Sequence, residues 1–220
     1  MQRDVRFGEP DDGAASSVEL QRDVAAANEY GSFVVRTITG GGGPRDVWFN
    51  GDGGNGGLLI TGIPNRVRRT YTLDFLVNTS EISSWNHLIG FGAGDDGKGD
   101  GFDPGNDTWP DSGVYFYDDS LAVYGDTSLY LDPADGLAVD TWVSVRITRQ
   151  ASKDGVRKFA IFVNGTCLGA VDDHVGRLRF TGGKGVLLAD DGDESYPTYI
   201  ADVRLYDTVM NPEPCPLTPS

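Results

Sequence analysis

The chain is divided into short apolar segments, each bounded by Gly, Asp, Asn or Pro, and this division limits the folds open to it. The segments are rich in β-branched and aromatic residues, which is typical of β-strands. Apolar and polar residues alternate from Thr70 to Val77, from Trp142 to Arg149 and from Ile200 to Tyr206. Because a period of two buries one face of a strand and exposes the other, the sequence predicts an antiparallel β-sandwich.

Polar connections separate the predicted strands, and Asn164-Gly165 marks one of the turns. This pair lies between two apolar segments, as in a type I′ hairpin, where both central residues have positive φ. The predicted strands are residues 32–39, 46–49, 57–63, 69–78, 86–92, 113–118, 121–125, 141–150, 157–165, 166–171, 177–181, 185–189 and 199–207. Outside them, the apolar residues between Ser17 and Glu29 form a loose stripe that predicts one short N-terminal helix.

Glycine is the residue whose frequency bears most on the fold. It accounts for 31 of the 220 residues, about twice the usual share, and so supplies the turns that an all-β chain needs. No helical segments alternate with the strands, which argues against an α/β fold, and no repeat or linker divides the chain. No apolar run is long enough to span a membrane, so membrane insertion is not expected.

The charge is strongly acidic and unusually distributed. The net charge is -15, with 27 Asp against 6 Glu and 14 Arg against 4 Lys. A high-GC genome would favour Arg over Lys, but an Asp-rich and Lys-poor surface is also typical of extreme halophiles, where salt screens the carboxylates. The bias toward Asp and Arg therefore has two explanations, a high-GC genome and a hypersaline source. Nucleic acid is not expected as a partner, because its phosphates require a basic surface.

Three segments of the second half carry a family resemblance: TWVSVRITRQ, RKFAIFVNGTCLGAV and YIADVRLYD. Together they resemble the concanavalin A-like jelly roll, and most closely its laminin-G-like and pentraxin-like domains. Trp142, Asn164, Gly165, Asp202 and Val203 stand at the positions of the family pattern. The motifs cover about residues 140 to 207, and the strand pattern extends the resemblance over residues 57 to 125. The resemblance implies a fold that hosts enzymes, lectins and adhesion modules alike.

The predicted elements divide the chain into three parts. Residues 1–31 are expected to form an N-terminal arm with the short helix, residues 32–208 the jelly-roll sandwich, and residues 209–220 an extended Pro-rich tail. The N-terminus lacks the apolar core of a signal peptide. We therefore expect a mature fragment, or a protein that reaches an extracellular or virion surface without a secretion signal.

Catalysis is not predicted. Glycoside hydrolysis needs two carboxylates across one bond, and the laminarinase-type relatives carry them in a Glu-x-Asp-x-x-Glu strand. No two of the 6 glutamates have that spacing. The Q-I-H or Q-V-H strand and the R-T-E-L strand of alginate-lyase relatives are also absent. No catalytic residue is therefore assigned.

Acidic loops predict calcium at two places. Calcium is held by six to eight oxygens, often from carboxylates of a flexible loop. One candidate lies in the loop from Gly92 to Gly113, and the other just before the last strand, where the resemblance implies that an aspartate of the terminal strand also binds the ion. The candidate ligands are Asp95, Asp96, Asp100, Asp103, Asp190, Asp191, Asp193 and, from the resemblance, Asp202. The alternative is that these are solvated acidic turns.

Aromatic and polar residues around the long loop predict a site for a glycan or a partner subunit. Trp109 lies within the loop, Trp85 and His87 precede it, and Asp107 and Asp111 flank Trp109. Tyr115 and Tyr117 share one face of the next strand, which is either a contact surface or core.

Covalent modifications are predicted at two kinds of residue. Of three N-x-S/T sequons, those at Asn106 and Asn78 are the glycosylation candidates, whereas the third, at Asn164, is explained by its turn. Cys167 and Cys215 form an even pair, and an extracellular setting would permit a disulfide that tethers the tail.

The leading hypothesis is a non-catalytic, lectin-like recognition or structural module displayed on a cell or particle, such as a capsid-decorating, turret or fibre protein of a virus with a halophilic host. Its partners would be a glycan or glycoprotein surface, neighbouring structural subunits, or further copies of the chain in a homo-oligomer. The alternative is a secreted polysaccharide-processing enzyme or its carbohydrate-binding module. The neighbouring genes would discriminate between the two.

Overall fold

The computed structural model describes residues 24–26, 31–38, 44–50, 58–60, 63, 65, 67–82, 85–91, 112–124, 128–131, 137–151, 157–174, 176–180, 185–187, 196–210 and 215. Over these ranges the chain forms two antiparallel seven-stranded sheets and no helix. The sandwich that the alternation predicts is thereby confirmed.

The strands are β1 (Val24–Ala26), β2 (Gly31–Thr37), β3 (Pro44–Asn50), β4 (Leu58–Ile60), β5 (Tyr71–Thr79), β6 (Asn86–Gly90), β7 (Gly113–Tyr117), β8 (Ser120–Tyr124), β9 (Ser128–Leu131), β10 (Val143–Ala151), β11 (Arg157–Val163), β12 (Thr166–Asp172), β13 (Gly185–Leu187) and β14 (Thr198–Tyr206). Sheet A has the order β1-β4-β13-β6-β7-β8-β9, and sheet B the order β12-β11-β10-β5-β14-β3-β2. None of the described residues forms a helix that could cross a membrane.

The main core lies between the inner faces of the two sheets. On β5 the alternating residues Leu73, Phe75 and Val77 are buried, and Val145 of β10 lies directly opposite Phe75. The main core also includes Val145 of β10, Ile161 and Val163 of β11, and Val203 and Leu205 of β14, all of which are buried. Trp142 is half-buried, as its place on the face opposite to Val145 requires.

The predicted N-terminal helix is wrong where the structure describes it. Val24–Ala26 is strand β1, in which Val24 pairs with Ile60 and Ala26 with Leu58 of β4. Helix propensity is weak, and pairing to a sheet overrides it. The rest of Ser17 to Glu29 lies outside the described residues.

The strand predicted at residues 177–181 is also wrong over the residues described. Residues 177–180 belong to a turn in which the Leu178 backbone N donates to Asp173 Oδ1 at 3.3 Å and Tyr71 Oη donates to the Leu178 carbonyl at 2.8 Å. Leu178 and Phe180 are buried, which explains their alternation. The backbone N and carbonyl of Leu178 bond to side chains instead of to a neighbouring strand.

The same turn is held by a buried ion pair. Arg149 Nη2 lies 2.7 Å from Asp173 Oδ2, and both side chains are buried. Arg149 Nη1 also donates to the Arg69 carbonyl. Alternation along β10 places Arg149 on the inner face, and its burial requires this partner because an unpaired charge in the interior is costly.

A disulfide joins Cys167 of β12 to Cys215, with the two Cα atoms 5.7 Å apart. Cys215 is buried against Ala160, Phe162 and Ala170. Phe162 lies between the core residues Ile161 and Val163 on β11 and so faces outward. The bridge therefore fixes the C-terminal segment at Cys215 on the outer face of sheet B.

Candidate functional site

The outer face of sheet A carries a group of aromatic side chains. On β7, Val114 and Phe116 point into the core, so Tyr115 and Tyr117 point outward. The same alternation, with Leu121 and Val123 of β8 and Leu131 of β9 in the core, turns one tyrosine of each of these strands outward. These outward residues are Tyr115, Tyr117, Tyr124 and Tyr130. Together with Trp85, which precedes β6, we name them the aromatic patch.

Trp85 is at the centre of the patch. Its ring centroid lies 4.2 Å from that of Tyr117, 5.4 Å from that of Tyr115 and 6.4 Å from that of Tyr130. The rings of Tyr117 and Tyr130 are 5.3 Å apart. Such tilted and edge-to-face arrangements are favourable for aromatic pairs. Tyr130 and Tyr124 are 53% and 36% exposed, so the patch presents ring surface to solvent.

His87 borders the patch on β6. Its imidazole stacks on the Tyr115 ring with centroids 4.2 Å apart and an interplanar angle of 13°. The register of β6 against β7 shifts between His87 and Ile89. A β-bulge of this kind re-aims a side chain, and here His87 lies beside Gly113. A Cβ at Gly113 would clash with the Ile89 carbonyl oxygen and with His87 Nε2. The Ile89 backbone therefore requires glycine at this position, and the imidazole packs against it.

One ring nitrogen of His87 has no hydrogen-bond partner in the part of the chain that the structure describes. Its side chain is buried, and Nε2 has no hydrogen-bond partner among the described residues. A buried polar atom of this kind normally has a partner. Burial lowers the pKa of His87 to about 4, although a hydrogen bond with the Ile89 backbone opposes this shift. The imidazole is therefore neutral at pH 7, able to accept or donate one further hydrogen bond.

The β7–β8 turn places carboxylates at the rim of the patch. Asp118 and Asp119 have φ of 49° and 59°, as the two central residues of a type I′ turn require, and both are exposed. The Asp119 backbone N donates to the Ile82 carbonyl at 3.0 Å, which ties the turn to the segment before Trp85. Asn164 and Gly165, with φ of 49° and 82°, confirm the type I′ turn predicted for them.

The structure describes two of the five predicted ligand residues, Trp85 and His87. The two lie close together, since both rings pack on the ring of Tyr115. Trp109, Asp107 and Asp111 lie outside the described residues, as does the acidic loop that contains them. Tyr130 was missed because β9 was not predicted. The alternation of Ser128 to Leu131 is the signal that could have found it.

Of the predicted calcium ligands, only Asp202 is described. The others, Asp95, Asp96, Asp100, Asp103, Asp190, Asp191 and Asp193, lie outside the described residues. Asp202 has φ of 50° and stands where the register of β14 against β5 shifts between Ala201 and Arg204. It is the additional residue of a β-bulge, since Ile200 and Val203 both face the core. Within the described part of the chain, no three acidic, His or Cys residues are grouped so that they could hold a metal ion.

The predicted glycosylation site Asn106 lies outside the described residues. Asn78 is half-buried on β5, and its neighbours Val77 and Thr79 are buried, so Asn78 faces away from the core.

Comparison with protein families gives one match. Residues 52–214 match the family model of a laminin G domain, which is described as belonging to the Concanavalin A-like lectin/glucanases superfamily. A search of the curated proteins finds no match.

Solved structures with a similar fold include one domain of an arabinanase and the binding domains of botulinum neurotoxins. Domain 4 of AbnA, an extracellular arabinanase from Geobacillus stearothermophilus, in complex with arabinotriose, is 12% identical, with a TM-score of 0.54 over 86% of this chain and 84% of that one. The binding domain of botulinum neurotoxin serotype D is 12% identical, with a TM-score of 0.55 over 86% of this chain. A botulinum neurotoxin DC binding domain in complex with rat synaptotagmin II has a TM-score of 0.54 at 12% identity, over 87% of this chain. This chain spans 45% of the length of each toxin domain. At these identities the similarity concerns the fold alone.

Proposed function

The chain belongs to the Concanavalin A-like lectin/glucanases superfamily, and on this premise we propose that it is a non-catalytic recognition module that binds carbohydrate at the aromatic patch. The observation that carries the proposal is the contact of Trp85 with Tyr117 and Tyr130, with Tyr130 53% exposed. Exposed apolar side chains that adjoin one another, instead of being scattered singly, mark ligand or partner sites.

The chemistry of the patch suits a sugar. A pyranose or furanose ring has an apolar face of C–H groups, which packs on an aromatic ring, and a rim of hydroxyls, which require hydrogen bonds. The rings of Trp85 and Tyr130 can pack against the apolar face of the sugar, and the tyrosine hydroxyls can bond to part of its hydroxyl rim. The exposed carboxylates of Asp118 and Asp119 add further hydrogen-bonding groups at the border of the patch. Few polar groups around an apolar surface are typical of ligand sites.

The structural neighbours support a binding role of this class. One of them holds an oligosaccharide, arabinotriose, and another holds a protein receptor, synaptotagmin. We propose carbohydrate as the ligand because the exposed Tyr124 and Tyr130 and the half-buried Trp85 and Tyr117 offer ring faces and hydroxyls to a sugar ring. Display of the module on a virion or a cell surface, and a hypersaline setting, stay predictions.

A glycan array with the full chain tests the proposal. We expect Tyr130→Ala to weaken binding of the best glycan about tenfold, which corresponds to about 1.4 kcal/mol. Tyr130→Phe keeps the ring and is the matched control, for which we expect near-normal affinity. Since Tyr130 is exposed, neither change should alter the thermal unfolding midpoint by more than a few degrees.

Two results would contradict the proposal. Binding of no glycan on the array would remove carbohydrate as the ligand class, and equal affinity of Tyr130→Ala and the wild type would place the site elsewhere. Release of reducing ends from a bound polysaccharide, measured with the same samples, would support the alternative of a polysaccharide-processing enzyme.

A further inference from the structure

A second row of aromatic side chains lies on the opposite side of the molecule, on the outer face of sheet B. The rings of Phe49 and Tyr199 stack with centroids 4.6 Å apart, and the ring of Trp142 lies 6.4 Å from that of Tyr199. All three side chains are half-buried. Tyr199 and Trp142 pack on a small cluster formed by Ile38, Val47 and Ala201, which is separate from the main core. We name Phe49, Tyr199 and Trp142 the sheet B aromatic row.

Asn78 lies within this row. On β5 and β14 it is the direct partner of Tyr199, and Val77 is the direct partner of Val143, the residue after Trp142. Side chains of directly opposite residues on one face have Cβ atoms about 4.5 to 5.5 Å apart. Asn78 therefore emerges beside the Tyr199 ring, with Trp142 on its other side. Leu76, two residues earlier on the same face, packs on the same cluster.

Asn78 is also the first residue of a sequon, Asn78-Thr79-Ser80. Thr79 is buried, and its Oγ1 lies 2.8 Å from Thr198 Oγ1 and accepts a hydrogen bond from Asn86 Nδ2 at 3.1 Å. Ser80 is exposed, and its backbone N donates to the Pro197 carbonyl at 3.0 Å. The backbone on the C-terminal side of Asn78 is thus fixed, which sets the direction in which a group attached to Asn78 leaves the sheet.

We propose that Asn78 carries an N-linked glycan whose first sugar ring packs against Tyr199 and Trp142. In the transfer step, Asn78 Nδ2 attacks the anomeric carbon of a lipid-phosphate-linked oligosaccharide. An N-glycosidic bond forms, the bond from that carbon to the phosphate oxygen breaks, and the amide nitrogen loses one proton. An oligosaccharide transferase and its lipid-linked donor supply the reaction, and the chain supplies the acceptor.

The attached sugar shields the rings of the sheet B aromatic row from water. Half-buried rings beside an asparagine leave apolar surface in water, and a sugar ring on that surface removes it from solvent. The sugar is covalently attached to Asn78, the cross-strand partner of Tyr199. Its packing on the rings therefore costs less translational freedom than the binding of a free ligand. The Asn164 sequon differs, because Asn164 is exposed at a hairpin tip and its Oδ1 accepts a hydrogen bond from the Ser144 backbone N at 3.0 Å.

The test uses the full chain secreted by a eukaryotic cell line, whose machinery glycosylates N-x-S/T sequons, with glycopeptide mass spectrometry. We expect the peptide that contains Asn78 to carry a glycan and Ser80→Ala, which keeps Asn78 and the aromatic row, to abolish it. Asn106→Gln and Asn164→Gln in one background isolate the Asn78 glycan. In this background we expect the glycosylated protein to unfold roughly 2 to 4 °C above its Ser80→Ala form. The same comparison in Tyr199→Ala should show no gain.

Two outcomes would overturn the proposal. An Asn78 that is unmodified, whether or not the other sequons are occupied, would refute the modification. A glycan at Asn78 that raises the unfolding midpoint equally with and without the Tyr199 ring would refute the packing. Neither result depends on the aromatic patch of sheet A, whose ligand binding is measured separately.

Discussion

His87 makes the stability of the protein depend on pH in a way that can be assigned to one residue. Its pKa is lowered to about 4 by burial, whereas an unfolded histidine titrates near 6.5. Between these values the unfolded chain binds more protons, so the free energy of unfolding falls as the pH is lowered from about 6.5 to about 4. From pH 7 to pH 4.5 we expect this residue alone to remove about 2 kcal/mol.

Denaturant unfolding of the wild type and His87→Gln at the two pH values measures this contribution. Carboxylates also titrate in this range, so the quantity to compare is the loss of unfolding free energy in each protein. We expect a smaller loss in His87→Gln. His174→Gln, whose side chain is 74% exposed and lies 3.3 Å from Asp172 Oδ2, is measured alongside as the same replacement at the second histidine of the chain. Equal losses in wild type and His87→Gln would show that His87 is protonated in the folded protein.

At the scale of the elements, the turn after β12 depends on one carboxylate. Asp173 pairs with Arg149 and accepts from the Leu178 backbone N. Asp173→Ala would leave the Arg149 guanidinium buried and unpaired, and we expect a loss of about 3 to 5 kcal/mol in unfolding free energy. The matched control is Asp74→Ala. The Arg146–Asp74 pair has the same 2.7 Å separation but side chains 31% and 19% exposed, so we expect a loss of only about 1 kcal/mol. Similar losses in the two variants would contradict the role assigned to burial.

The elements also show which patterns in the sequence were sufficient. Alternation identified β5 and β10, because each has a single inner face along its whole length. It failed at residues 177–180, where Leu178 and Phe180 are buried but the backbone bonds to Asp173 and Tyr71. Only tertiary contacts distinguish the strands β5 and β10 from the turn at residues 177–180. The alternation expected from Ile200 to Tyr206 is likewise interrupted by the bulge at Asp202, which a period of two cannot represent.

The candidate site was predicted in part for a similar reason. Trp85 and His87 were recognised because both adjoin one strand, and Tyr115 and Tyr117 because they share a face of β7. Their contact with Tyr130 depends on the pairing of β8 with β9, and the alternation of the four residues of β9 does not show which strand they pair with. Sequence spacing can show that two side chains share a face of one strand, but it does not show which strands become neighbours.

The charge belongs to the scale of the whole molecule. With a net charge of -15, carboxylates repel one another at low ionic strength, and salt screens that repulsion. We expect the thermal unfolding midpoint to rise on going from about 0.02 M to about 2 M potassium chloride, conditions that shorten the Debye length from tens of ångströms to a few. Indifference of the midpoint to salt would contradict the halophilic interpretation of the composition.

A variant with three fewer negative charges separates the screening of charge repulsion from other effects of salt. Asp118, Asp119 and Asp140 are exposed and have positive φ, a conformation that asparagine also tolerates. Replacing all three by Asn removes three negative charges, from -15 to -12, without a change of shape. We expect the variant to gain less from salt than the wild type. An equal gain would assign the effect to hydration of the surface as a whole.

The bridge between Cys167 and Cys215 determines how the molecule can be mounted on a support. Cys215 is fixed on the outer face of sheet B, and the aromatic patch is on the outer face of sheet A, on the far side of the sandwich. A biotin or an affinity tag placed after residue 215 would therefore attach the protein to a sensor chip with the patch directed toward the flowing solution. An attachment through surface amines would give mixed orientations, and part of the population would present the wrong side.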